Sequence, residues 1–139
     1  MDGGQDLIDR AALKRLRTET GPAFARLVGY FREDAATSIL AAEDAARRRD
    51  AAALIRPAHT LKGEALQFGA GPLAALAERI ETDARLCVET QGAPDALMAD
   101  VPRLRPLLAR TLTLLMQETA AAPAARPVFG RRTSTPAGR

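Results

Sequence analysis

Apolar residues recur along most of the chain at intervals of three and four, the repeat of an amphipathic helix, in five stretches separated by short turn-forming segments. Asp9 stands where it can cap a first, short helix that carries Leu13 and Leu16 to about Thr18. Gly21-Pro22 interrupts it, with Pro22 in the position favoured at a helix start. A second, longer helix follows through Phe24, Leu27, Val28, Phe31, Ala35, Ile39 and Ala42. It ends near Arg47, Arg48 and Arg49, cations suited to the negative end of a helix dipole. Asp50 caps a third helix with the stripe Leu54, Ala58, Leu61, Ala65, Phe68, and the run Gly69-Ala70-Gly71-Pro72 stops it and starts the next. The fourth places Leu73, Leu76, Ile80, Ala84 and Cys87 on one face and ends at Gly92-Ala93-Pro94. The fifth carries Leu97, Val101, Leu104, Leu108, Leu112 and Leu115, with Pro102 and Pro106 expected to bend or divide its first half.

Amphipathic helices joined by short turns predict an all-α fold, an antiparallel four-helix bundle whose short extra N-terminal helix covers one end. Residues 1–119 are read as that bundle. Residues 120–139, rich in Ala, Pro, Gly and Arg, are read as a disordered, flexible basic tail. Composition agrees. The chain has 139 residues, the size of one domain, and only 4% aromatics, too few with its sparse β-branched clusters to build sheets. Formal charge is +3, but Arg126, Arg131, Arg132 and Arg139 put +4 on a tail without acids, which leaves residues 1–119 at −1. No element of the body clusters positive charge, so nucleic acid is not an expected partner. Cys87 is the single cysteine, which fits a reducing compartment. No apolar run approaches the roughly 20 residues of a membrane span, and the first residues lack the pattern of a signal peptide. The expectation is a soluble, cytoplasmic protein with no membrane contact.

The one histidine, His59, falls beside the stripe of the third helix, about 100° round from Ala58. Lys62 and Gly63 follow at i+3 and i+4 and share its face; Leu66 extends that face one way and Ile55 the other. Each has a use if His59 attacks phosphorus. A neutral imidazole offers a ring lone pair. Lys62 can offset charge on transferring oxygens. Gly63 clears the approach, at about 1 kcal/mol relative to alanine in mid-helix. Spacing alone equally allows a hydrogen-bonded boundary histidine, a solvated lysine, a glycine for helix packing and a leucine at the core edge. The sequence contains no glycine-rich phosphate loop, no nucleophile elbow and no metal-ligand cluster.

The stretch Ala58-His59-Thr60-Leu61-Lys62-Gly63-Glu64-Ala65-Leu66-Gln67-Phe68-Gly69-Ala70 resembles the signature of histidine phosphotransfer (HPt) domains, with His59, Leu61, Lys62, Gly63, Ala65, Phe68 and Gly69 in register. Ile80-Glu81 is similar to the apolar-Glu pair of the family's next helix, and the likeness in helix order covers roughly residues 7 to 118. The resemblance implies that His59 is the phospho-accepting residue, Lys62 the basic residue near the phosphoryl group and Gly63 the clearance residue. It implies that Gln67 is a polar group able to hydrogen-bond near the imidazole, and that Leu66 and Ile55 present apolar surface to a receiver. Glu64 departs from the pattern, which usually has serine or alanine there; an acid near the histidine could orient Lys62 or weaken the site by repulsion.

The implied role is a bacterial two-component phosphorelay carrier, not an ATP-dependent kinase. It accepts a phosphoryl group from the aspartate of one response-regulator receiver and donates it to another. The expected partners are receiver domains and a hybrid or sensor histidine kinase, and the protein is expected to be a monomer. It needs no cofactor of its own, with Mg expected on the partner receiver. The alternative is an HPt-like helical adaptor that binds a kinase or receiver without being phosphorylated, which Glu64 would favour.

Overall fold

The side chains that the sequence places at helix starts do cap helices in the computed structural model, which describes residues 6–121. Asp9 Oδ1 accepts the Ala12 N–H at 3.1 Å and opens α1 (Arg10–Thr20). Asp50 Oδ1 accepts the Ala53 N–H at 3.0 Å and opens α3 (Ala51–Gln67). Each such bond satisfies an amide left over at a helix start, and its loss typically costs about 1 kcal/mol. Between α1 and α2 (Phe24–Arg47) lies a single 3-10 turn, Gly21–Ala23, that holds Pro22. Arg49 takes a left-handed conformation in the short turn to α3. The other two helices are α4 (Gly71–Thr90) and α5 (Asp95–Ala121).

Sequential helices pack side by side and α5 returns against α2, which closes an antiparallel four-helix bundle; the described residues form no strand. The expected stripes meet in one core. Phe24, Val28, Phe31 and Ile39 of α2 face Leu54, Leu61 and Ala65 of α3, with Leu73 and Ile80 of α4 and Leu97, Leu104 and Leu115 of α5. Burying one such large side chain contributes about 1.5–3 kcal/mol. The rings of Phe31 and Phe68 lie 4.8 Å apart. The short N-terminal helix covers the end where α3 meets α4: the Asp9 N–H donates to the Gly69 carbonyl at 2.7 Å. Gly69 has φ +70°, and a Cβ there would approach the Asp9 carbonyl to 3.0 Å, so this docking requires glycine.

One expectation about the prolines is corrected. Pro102 and Pro106 do not divide the fifth helix; α5 runs through both. They are four residues apart and exposed, so the carbonyls they deprive of an amide lie toward water while the inward residues Val101, Leu104 and Leu108 keep their packing. α3 contains a further proline, Pro57, within its second turn. α5 extends to Ala121, and the rest of the expected tail lies outside the described residues.

Candidate functional site

His59 projects from the middle of α3 into the seam with α4. It lies just off the buried row of Ala58 and Leu61, and its side chain is 62% exposed. Antiparallel pairing sets Glu81 of α4 opposite it. The ring Nδ1 is 3.0 Å from Glu81 Oε2. Lys62 Nζ is 3.1 Å from Oε1, and Arg85, one turn along α4, gives Nε and Nη2 to Oε2 at 3.2 and 2.9 Å. Oε1 lacks a well-aligned hydrogen bond, so the Lys62 contact is an ion pair set by distance, which a Coulombic attraction needs more than angle.

Glu81 is buried, with a side chain only 8% exposed. Burial by itself pushes its carboxyl up. The contacts from Arg85, Lys62 and His59 outweigh it and lower the group to about 2. An ionised carboxylate accepts only, so the proton of a neutral His59 ring resides on Nδ1 and the Nε2 lone pair is free. The exposed side of the ring is therefore its nucleophilic side, and the carboxylate behind it is placed to stabilise positive charge on the imidazole.

The structure brings His59 and Lys62 together through Glu81, and leaves open space where a side chain at Gly63 would be: a Cβ there meets nothing within 4 Å. No packing among the described residues therefore explains that glycine. Leu66 is 61% exposed and Ile55 is partly buried, one on either side of His59 along α3. Gln67 is exposed at the last position of α3, about 12 Å along the axis from His59, and makes no hydrogen bond with the imidazole among the described residues. The partner expected of Gln67 is supplied by Glu81 instead.

Glu64 also differs from its expected position. It makes no ion pair with Lys62 or His59 among the described residues, and the nearby charge that acts on it is Asp34 of α2. Burial first, and then the Asp34 charge, push its carboxyl up. The sequence assigns no role to Arg85, and it marks Glu81 only through the resemblance of Ile80-Glu81 to the family's apolar-Glu pair, without a contact to His59. Glu81 lies 22 residues from His59 on another helix, directly beside the buried stripe position Ile80. Among the described residues no cluster of three or more His, Cys, Asp or Glu could hold a metal ion, and no helix is long and apolar enough to cross a membrane.

Comparison with known proteins adds two matches. A family model described as "Hpt domain" matches residues 26–122, more than half of the chain. The crystal structure of histidine-containing phosphotransfer protein B (HptB) from Pseudomonas aeruginosa PAO1 is similar at a TM-score of 0.76 and 23% identity, over 85% of this chain and 98% of that one. At that identity the likeness speaks for the fold. No curated protein matches the chain.

Proposed function

From the premise that the chain belongs to the Hpt domain family, a family of phosphocarrier modules in two-component signalling, we propose that it carries a phosphoryl group on His59 between the aspartates of receiver domains in a multistep relay. Nε2 attacks phosphorus in line and forms a P–N bond. The P–O bond to the receiver aspartate breaks, and its electron pair returns to that carboxylate. The ring gains positive charge as the bond forms, and Glu81 stabilises it through Nδ1–H. Lys62, and Arg85 beside it, offset the charge of the phosphoryl oxygens. Transfer to a second receiver reverses these steps.

The observation that carries the reading is the Nδ1–Glu81 contact at 3.0 Å beneath a half-exposed ring, because it leaves Nε2 as the free nucleophile. Gly63 clears the approach, while Leu66 and Ile55 offer the receiver an apolar margin. Gln67, at the end of α3, is assigned to the rim of that surface. The divalent ion of the reaction belongs to the receiver, the carrier acts as a monomer in the cytoplasm, and it has no ATP-dependent kinase activity. The adaptor alternative rests on Glu64, and since that carboxylate pairs with neither His59 nor Lys62 among the described residues, no specific observation favours it.

The test is incubation of the chain with a panel of phosphorylated receivers. Acid-labile phosphate should appear on the wild type and be absent from a His59→Gln variant with an unchanged melting curve. Phosphate retained on that variant, which has no other histidine, would sink the mechanism.

A further inference from the structure

A second surface lies on the seam between α4 and α5, away from His59. It is a groove of about 370 Å³ whose floor is Leu7, Leu76 and Leu107 and whose rims carry Arg79, Arg103 and Arg110. The two walls have helical spacing. Arg103, Leu107 and Arg110 fall at i, i+4 and i+7 on α5, so the two arginines stand about 10 Å apart on one face. Leu76 and Arg79, at i and i+3, form the corresponding face of α4.

The charge there is only partly compensated. Asp100, buried between the helices, takes Arg79 Nε at 3.1 Å and Arg103 Nη1 at 3.2 Å. One carboxylate thus serves two guanidiniums that are 65% and 60% exposed and keep further donors toward solvent. Arg110 is exposed and makes no ion pair among the described residues. Three cations against one acid give a local charge of +2 on a body whose residues 1–119 sum to −1.

We propose that this groove docks an acidic amphipathic helix of a partner protein, one with carboxylates two turns apart and apolar residues between them. The carboxylates meet Arg103 and Arg110 in the planar, two-pronged geometry that arginine favours. The apolar residues rest on Leu7, Leu76 and Leu107. An open groove between two parallel ridges seats a third helix as a bundle does, whereas an aliphatic floor offers nothing to a nucleic-acid backbone. Arginine rims with an apolar centre are also the usual anatomy of a protein interface. Because the α4–α5 seam is separate from the α3–α4 seam, the docked helix and the ligand of His59 can bind at once. This inference does not depend on the phosphotransfer reading.

The test uses the full, isotope-labelled chain. The probe is a synthetic helical peptide about four turns long, with glutamates two turns apart and leucines between them. Parallel titrations use the same peptide with lysines for glutamates, a DNA duplex, and phosphatidylglycerol vesicles. The expected result is a saturable set of amide shifts confined to residues 72–79 and 103–110 and the Leu7 region, seen with the acidic peptide alone. Arg110→Glu should weaken binding about tenfold or more, through loss of one attraction and gain of one repulsion. That variant should keep its melting curve and its phosphotransfer rate. His59→Gln should bind the peptide as the wild type does, so failure here is distinguishable from failure of the relay. Shifts elsewhere, binding insensitive to Arg110→Glu, an equal response to DNA or vesicles, or a self-association abolished by Arg110→Glu would each overturn the proposal.

Discussion

Two carboxylates flank α3, and their surroundings drive them in opposite directions. Glu81, in the seam with α4, is the more buried, yet its carboxyl is lowered to about 2. Glu64, on the side toward α2, is only partly buried, yet its carboxyl is raised. Burial acts with the same sign on both. What differs is company: Glu81 has Lys62, Arg85 and His59 within 3.2 Å, whereas Glu64 has an orphaned Oε1 and a like charge at Asp34. Partners, more than depth, decide whether a helix flank stores a usable charge or an unfavourable one.

The contrast breaks most visibly at Glu81. Glu81→Gln removes the charge behind the ring and lets an amide N–H face Nδ1, which shifts the ring proton toward Nε2 and occupies the exposed lone pair that the proposed transfer uses. A charge-assisted contact is worth about 1.5–3 kcal/mol, so transfer at saturating receiver should slow roughly ten- to a hundredfold. Nitrogen NMR of the imidazole should report the change of tautomer, and a wild-type rate with an Nδ1–H ring in the variant would remove Glu81 from the chemistry. Acid titration gives the linked signature. Glu81 has a lowered carboxyl when folded, so its stabilisation is full above about 4.5, the ordinary value, and is lost as pH falls toward about 2. That portion of the acid transition should be missing from Glu81→Gln.

A smaller effect is expected at Lys62, because Arg85 remains on Glu81 when its ammonium is removed. Lys62→Ala should slow single-turnover transfer about tenfold, near the low end for one charge-assisted contact. If the lysine only steers an acidic receiver, the defect would instead lie in association and shrink with added salt. A wild-type saturated rate would leave Lys62 without a part in the transition state.

Glu64 should give the smallest change and the opposite sign. Glu64→Gln relieves the repulsion from Asp34 and should raise stability at neutral pH by a few tenths to about 1 kcal/mol, since solvent screens part of the repulsion at this partly buried group. Because the folded carboxyl is raised, wild type sheds this penalty on protonation, so the advantage of the variant should fade as pH falls into the acidic range. Transfer rates should stay at the wild-type level. A transfer defect in Glu64→Gln would show that this side of α3 takes part after all.

The parts of the molecule legible in the sequence are those fixed by local rules. The caps at Asp9 and Asp50, the buried stripe of α3 and the off-stripe position of His59 need only the helical repeat and one side-chain hydrogen bond. Glu81 is marked by the resemblance of Ile80-Glu81 to the family's pair, but its contact with His59 depends on the register between α3 and α4, which no local pattern states. In sequence Glu64 is a neighbour of the histidine, but five residues on a helix turn it about 140° away, within reach of the Asp34 charge on α2. Pro102 and Pro106 were read by their intrinsic cost in a helix, which the packing of α5 and the exposure of both rings override.

The clamp at the capped end of the bundle bears on modularity. Glu118, near the end of α5, takes Arg10 Nη1 and Arg17 Nη1 of α1, each at 2.9 Å. The first and last helices of the described body are thereby fastened at one point, while His59 stands in mid-bundle on a different seam. A unit whose two ends emerge together can be spliced between other domains or circularly permuted with a short connector, as one plugs a cassette into a longer reel. The face of α3 that carries His59 would then travel with the unit, on a seam separate from the point where the two ends meet.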